Sequence, residues 1–419
     1  MVKVGIIGVG TVGESVVRIL KENQDVISAR AGAAIVVSKG VVRNLEKKRD
    51  VDIPLTTNVD EVLDDPEIDI VVELMGGVEE AYAVVTKALK NKKAVVTANK
   101  ALLAYHRYEL AELAKEIAFE YEASVAGGIP IINALRDGLS ANHIESIVGI
   151  MNGTCNYMLT KMRDEGTAYE EILKEAQELG YAEADPTFDV GGYDAAHKLL
   201  ILASIAYGID AKPEDILIEG IQNVSQEDIA FAKEFGYEIK LLGIAKKDGS
   251  EVELRVHAAL IKKEEMIAKI DGVMNGISVV GDKVGETLYY GPGAGGDATA
   301  SAVVANIIDI ARSGKSTPML GFDRPMEGKL TLKKSDAIRS KYYLRINVTD
   351  KPGVLAKLTK LFEEHSISIE TMLQRPTENE TANLLISTHS ACERDMQNMI
   401  EAILKLEFIH AKPVMIRIV

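Results

Sequence analysis

The sequence predicts an α/β chain in three parts: a Rossmann-like doubly wound parallel sheet, an α+β middle domain, and a C-terminal βαββαβ (ferredoxin-like) unit. Three observations predict it. Short β-branched runs alternate with amphipathic stretches through the first third of the chain. A GxGxxG, GVGTVG at residues 8–13, joins the first such run to the first amphipathic stretch. After Lys341 the pattern starts afresh and supplies four strands and two helices in ferredoxin-like order. With 419 residues the chain is long enough for two or three domains.

In chain order, Val2–Ile7, Ala34–Arg43, Ile70–Leu74 and Ala94–Thr97 read as buried strands, short and flanked by turn or charged residues. Gly13–Asn23, Val78–Asn91 and Ala104–Glu116 read as the helices between them. The expected first domain spans 1–134 and takes back a return helix at 298–313. A second domain is expected over 135–297, with strands at Ser146–Ile150, Ile239–Lys246 and Glu253–Leu260 and helices at Tyr169–Leu179 and Asp194–Tyr207. A glycine-rich loop, GPGAGG at 291–296, precedes the apolar helix Ala300–Ala311. Residues 314–340 are mostly polar, contain Pro318 and Pro325, and read as a linker. In the unit 341–419, Tyr343–Val348, Ser366–Leu373, Ala382–Thr388 and Pro413–Val419 read as strands. Val354–His365 and Asp395–Lys405 read as helices.

The composition narrows the function. Forty-eight cations against 63 anions leave a net charge of −15, which disfavours nucleic acid or an anionic membrane as the main partner. No apolar run reaches the ~18 residues of a membrane span. Glycines interrupt MVKVGIIGVG, so it reads as a strand rather than a signal peptide, and a cytoplasmic location is expected. Two cysteines, Cys155 and Cys392, and scattered histidines offer neither a disulfide framework nor a zinc site.

In the glycine motif Gly8 permits a tight turn, Gly10 the close approach of a pyrophosphate, and Gly13 close helix–strand packing. Val9, Thr11 and Val12 complete the turn, and the helix N-terminus adds amide donors and partial positive charge. An NAD site usually has an acid at the end of the second strand. Here that strand ends in Arg43-Asn44, followed by Lys47-Lys48-Arg49. Arginine suits a 2′-phosphate, so NADP is expected, with NAD also open; the alternative is a solvated basic loop.

The stretch EADPTFDVGGYDAAHK, 183–198, carries four carboxylates, a Gly191-Gly192 bend and a closing lysine. Asp194 and Lys198 are four apart on one helix face. Glu183, Asp185 and Asp189 lie on the preceding loop. Such a loop can converge on a substrate ammonium; it can equally be a solvated acidic surface with a helical ion pair. Lys100, in VTANK, follows a strand's carboxyl end, where ligands of open α/β sheets bind.

GVGTVG, the TANK turn, EASVAGGIP, NGTCNY, EADPTFDVGGYDAAHK and GPGAGGDATASAVV, in that order and spacing, resemble homoserine dehydrogenases over the whole chain. Residues 341–419, with Asp350-Lys-Pro-Gly353 between first strand and first helix, resemble an ACT domain. The resemblance implies reversible NAD(P)-dependent interconversion of L-homoserine and L-aspartate 4-semialdehyde. It implies that Glu183, Asp189 and Asp194 bind the amino-acid substrate with Gly153 and Thr154. The catalytic residues would be Lys198, Asp194 and Lys100, with Lys198 the proton donor and Lys100 between nicotinamide and substrate. The cofactor set would be Gly8 to Gly13, Arg43, Lys48, Met75, Gly76, Lys100 and Gly295. A monovalent cation, Na+ or K+, maps to Glu122 and the carbonyls of Val125, Gly127 and Ile129. The family pattern often has Arg-Asp where Arg43-Asn44 stands, which leaves cofactor preference open. The ACT domain implies a threonine effector and a homodimer or homotetramer; the alternative is that it only oligomerises the enzyme. Two rivals stand beside this reading. One is a phosphorylating semialdehyde dehydrogenase using Cys155 as its thiolate, against a packed bystander role for that residue. The other is a non-catalytic amino-acid sensor.

Overall fold

Six short parallel strands, each a β-branched run cut off by charged or glycine residues, build the first sheet. The computed structural model describes residues 1–313, 317–326, 328–376 and 380–419; residues 314–316 and 327 of the expected linker lie outside the described residues. The strands are β1 (Val2–Ile7), β2 (Ile35–Val41), β3 (Leu55–Thr56), β4 (Ile70–Glu73), β5 (Ala94–Thr97) and β6 (Phe119–Glu120), in the order β3-β2-β1-β4-β5-β6. The order reverses between β1 and β4, the switch point at which open α/β sheets bind ligands. Helices α1 (Thr11–Glu22), α2 (Gln24–Ala31), α3 (Asp60–Leu63), α4 (Glu79–Lys90) and α5 (Lys100–Leu113) connect the strands. Helix α5 begins four residues before the expected Ala104, because the Asn99 side chain caps it by accepting the Leu102 amide at 3.0 Å.

The chain divides into two compact, discontinuous units: Met1–Ile147, His197–Pro213 and Met274–Leu330 form one, and Val148–Ala196, Glu214–Val273 and Thr331–Val419 the other. After α6 (Ile131–Asn133), β7 (Ile144–Ile150) carries the chain into the second unit. There follow α7 (Gly153–Glu165), α8 (Tyr169–Glu178) and α9 (Thr187–Val190), and α10 (Tyr193–Tyr207) leads back. The second unit then takes β8 (Leu217–Ile218), α11 (Gln226–Glu234), β9 (Tyr237–Asp248) and β10 (Glu251–Lys262). The first unit ends with the hairpin β11 (Met274–Gly281) and β12 (Gly285–Pro292), then α12 (Gly296–Ser313). In its core Val4, Ile6, Val72 and Val96 of the sheet pack with Val16 and Leu20 of α1 and Val303 and Ile307 of α12. Among the described residues no helix is long and apolar enough to cross a membrane.

The remaining elements are β13 (Thr331–Leu332), β14 (Arg339–Thr349), α13 (Val354–Glu364), β15 (Ile369–Pro376), β16 (Thr381–Thr388), β17 (Ala391–Cys392), α14 (Glu393–Ile403) and β18 (Val414–Ile418). The expected βαββαβ unit is present, with Leu344, Ile346, Phe362, Leu384, Met396 and Met399 in its core. It does not hang from a loose tether. Strand β10 pairs antiparallel with all of β9 on one edge and shares the other among β13, β8 and β18, all parallel to it. Strand β18 also pairs with β14, so it joins the βαββαβ sheet to β10 edge to edge. Within the expected linker, Thr331–Leu332 forms β13, which its polar surroundings did not signal.

Candidate active site

The three glycines of the nucleotide motif do different work. Gly8 has φ +104°, and a Cβ there would lie 2.5 Å from the Leu74 carbonyl oxygen. A Cβ on Gly13 would lie 2.6 Å from the Gly8 oxygen. The fold itself therefore requires both. A Cβ on Gly10 would meet nothing within 4 Å, so the protein leaves room there that its own packing does not need. The first turn of α1 follows directly, with its amides not yet paired within the helix. Among the basic residues after β2, Arg43 is exposed and 3.5 Å from Glu80, and Lys48 is exposed. Arg49, read from the sequence only as part of the basic run and left out of the cofactor set, donates to the Val9 carbonyl at 2.8 Å and to the Asn44 and Lys47 carbonyls at 2.8 Å each. It ties the basic loop to the glycine turn.

Within the same unit, Val12, Met75, Lys100, Gly127, Lys198 and Gly293 line one cleft of about 280 Å³. The two lysines singled out from distant parts of the sequence thus share a cleft with the nucleotide turn. Its wall is braced by Glu73, a buried carboxylate that the sequence reading missed. Glu73 accepts the Met75 amide at 2.7 Å and the Thr97 hydroxyl at 2.6 Å. Thr97 accepts the Asn99 amide at 3.0 Å, and Asn99 donates to the Gly77 carbonyl at 2.8 Å. Burial pushes the Glu73 carboxyl pKa up, and its hydrogen bonds oppose that rise. The available signal was a lone carboxylate ending an apolar strand, IVVE. Gly76 and Gly295 both open onto free space, and Gly295, at φ +120°, immediately precedes α12.

Glu122, at 2% exposure, accepts the Ile132 and Asn133 amides at 2.8 Å each. Burial lifts its pKa to about 7 against those amides. Ala126 and Gly127 are both left-handed, at φ +55° and +49°, and a Cβ on Gly127 would lie 2.7 Å from the Gly293 oxygen. The Ile129 carbonyl accepts the Ile131 amide at 2.8 Å. Among the described residues no group of three or more His, Cys, Asp or Glu is placed to hold a metal.

The carboxylate loop lies in the second unit, and an unpredicted residue organises it. Asn152 caps α7 by accepting the Cys155 amide at 2.8 Å. Its amide nitrogen donates to Asp189 at 2.8 Å and to Asp194 at 2.9 Å. Two like charges are thereby bridged by one neutral donor. Gly153 opens α7, and the Thr154 hydroxyl donates to the Tyr181 carbonyl at 2.6 Å, fastening the loop to the helix. Glu183 has an exposed side chain, and its backbone carbonyl accepts from Gln177 at 3.0 Å. Asp185, also exposed, accepts the Thr187 amide at 3.1 Å, and hydrogen bonds from that residue hold its carboxyl below the usual range. Asp194 and Lys198 both belong to α10. Cys155 is fully buried and its thiol donates to the Asp189 carbonyl at 3.3 Å, a packed position rather than an exposed nucleophile's.

Comparison with known proteins decides the family. The NAD-binding domain model of homoserine dehydrogenase matches residues 8–122, the homoserine dehydrogenase model 130–308 and the ACT domain model 342–408. A homoserine dehydrogenase of Helicobacter pylori is 53% identical over 416 residues, covering 99% of this chain and 98% of its own. The chain belongs to the homoserine dehydrogenase family. A homoserine dehydrogenase structure from Thiobacillus denitrificans is 46% identical, covers 100% of this chain and 98% of its own, and superposes with a TM-score of 0.93. A hyperthermophilic archaeal homoserine dehydrogenase in complex with NADPH is 27% identical, covers 74% of this chain and 97% of its own, with a TM-score of 0.63. A homoserine dehydrogenase is an oxidoreductase acting on homoserine and its semialdehyde, here with an NAD(P)-binding domain and an ACT domain. The resemblance read from the motifs, and the three-part fold, are both met. The sensor and thiolate readings give way to the dehydrogenase.

Proposed function

We propose that the chain interconverts L-aspartate 4-semialdehyde and L-homoserine with NADP as its working cofactor and NAD as an alternative. The observation that carries the reading is the sharing of one cleft by Lys100, Lys198, Met75 and Val12. The free space at Gly10 fits a pyrophosphate in contact with the backbone. Bound there, a nicotinamide cofactor supplies the hydride that reduces the aldehyde carbon.

The chain's own residues do the rest. Residues Gly8, Val9, Gly10, Thr11, Val12 and Gly13 present amides to the phosphates, with Met75, Gly76 and Gly295 shaping the walls. Arg43 and Lys48 attract a 2′-phosphate. Lys198 gives its ammonium proton to the carbonyl oxygen as the carbon is reduced, and as a neutral amine takes the hydroxyl proton in reverse. Lys100 stabilises the negative charge developing on that oxygen. Glu183, Asp189 and Asp194 hold the substrate ammonium, with Gly153 and Thr154 beside them. Na+ or K+ fits Glu122 and the carbonyls of Val125, Gly127 and Ile129, where it offsets a buried carboxylate. In this division of labour 1–134 with 298–313 hold the cofactor, 135–297 hold homoserine and dimerise, 314–340 link, and 341–419 sense threonine in a homodimer or homotetramer.

The test is homoserine-dependent reduction of NADP and NAD by the wild type and Lys198→Ala. The variant is expected to lose about 10²–10⁴ in kcat and to keep its cofactor affinity, read by fluorescence titration. A variant with wild-type turnover refutes the assignment of the proton donor.

A further inference from the structure

One of the buried cations that the mechanism leaves unused lies far along the chain from the substrate loop. Arg417, in β18, has no exposed surface. Its guanidinium is shared between two carboxylates. Nη1 and Nη2 donate to the two oxygens of Glu219 at 2.6 and 3.1 Å. Nε and Nη2 donate to Glu393 at 2.9 and 2.5 Å. Tyr342 also donates to Glu393, at 2.9 Å. Glu393 and Tyr342 belong to the ACT unit, but Glu219 does not; it follows β8.

The segment from Glu219 to Ile221 is wedged against the turn between α9 and α10. The Ile221 amide donates to the Val190 carbonyl at 3.0 Å. A Cβ on Gly220 would lie 2.0 Å from the Val190 oxygen and 2.8 Å from the Gly191 Cα. A Cβ on Gly192 would lie 3.1 Å from the Glu219 carbonyl oxygen. Asp189 precedes this turn and Asp194 follows it. The other side of Glu219 is pinned to β10, its amide donating to the Val256 carbonyl at 2.8 Å. A bidentate arginine–carboxylate pair fixes direction as well as distance, so the segment has little freedom to withdraw.

We infer that Arg417 is a positioning residue for homoserine: through Glu219 it holds the 219–221 segment against the turn that carries Asp189 and Asp194. The inference rests on the assignment of those two carboxylates to the substrate. It makes the βαββαβ unit part of the support of the substrate loop rather than an appendage.

Steady-state kinetics on the full-length enzyme test it, with KM measured separately for homoserine and NADP in Glu219→Ala, Arg417→Lys, the double variant and Asp189→Asn. Glu219→Ala leaves the Arg417–Glu393 pair intact, so it reads the link without stripping the ACT core. Its homoserine KM is expected to rise about 10- to 100-fold while its NADP KM stays within about twofold. The double variant is expected to match Glu219→Ala, because both act through one pair. If Asp189→Asn raises the homoserine KM and Glu219→Ala does not, the inference alone is overturned. If Glu219→Ala raises both KM values together, general damage replaces positioning and the inference is again overturned. An unchanged homoserine KM in Asp189→Asn overturns the substrate assignment and the inference with it.

Discussion

His257 is fully buried in β10, with its Nδ1 facing the Ala258 carbonyl at 2.8 Å. Burial, then the charges of Arg417 and Arg255, push its pKa well below the ordinary 6.5. The folded protein therefore keeps it neutral at a pH where the unfolded chain protonates it. Its contribution to stability is complete above pH 6.5 and is lost as pH falls from there toward the depressed folded value. The slope for one such group is at most about 1.4 kcal/mol per pH unit. In urea denaturation, His257→Gln is expected to lose less stability than the wild type between pH 7 and 5.5; equal losses would assign the acid sensitivity elsewhere. Burial of this kind was only half legible in EVELRVHAALIK: Arg255 stands two residues before the histidine, but nothing there hints at Arg417, 160 positions on. The same holds for Asn152. NGTCNY was readable as a motif, but its bridging of Asp189 and Asp194 depends on residues 37 and 42 positions away.

At the scale of elements, the strand–turn–helix at the N-terminus was the most legible part, because each of its constraints is local. β1 was read to its terminal residues, and α1 to within two residues at its start. The glycine roles separate cleanly in a prediction. Gly13→Ala crowds the Gly8 carbonyl and is expected to cost about 1–3 kcal/mol, seen as a lower Tm. Gly10→Ala meets free space, so its Tm should match the wild type while its cofactor KM rises at least about tenfold. A Gly10→Ala enzyme with normal cofactor affinity would remove the pyrophosphate from this turn. Helix α2 went unread because its apolar residues follow no clear period, and α7 because NGTCNYMLTKMRDE opens on turn-forming residues. The glycine-rich loop at 291–296 was shorter than read, since Gly291 and Pro292 end β12.

For the whole molecule, the ACT unit was legible as a self-contained βαββαβ pattern, whereas its junction was not. One edge of β10 is divided among three short strands from distant sequence, and no local pattern encodes such sharing. The proposed regulation and ion dependence are tested at this scale, on the whole enzyme. Activity is expected to fall with threonine up to millimolar levels, and a flat curve removes the effector. Replacing Na+ and K+ by choline at constant ionic strength is expected to lower activity, and equal rates remove the cation at Glu122. Inhibition requires that threonine bind two states of the enzyme unequally.

By itself the sequence determined the parallel nucleotide sheet, the glycine turn, the run of carboxylates with its lysine and the βαββαβ pattern. Each rests on periodicity or on residues a few positions apart, so neighbours along the chain suffice to reveal it. Only the tertiary structure decided that Lys100 and Lys198 line one cleft, that Glu73 braces its wall and that Asn152 bridges two carboxylates. It alone decided that Arg417 reaches Glu219. These depend on groups brought together from remote segments, where the cost of burying a charge or an amide is met by a partner the local sequence does not name.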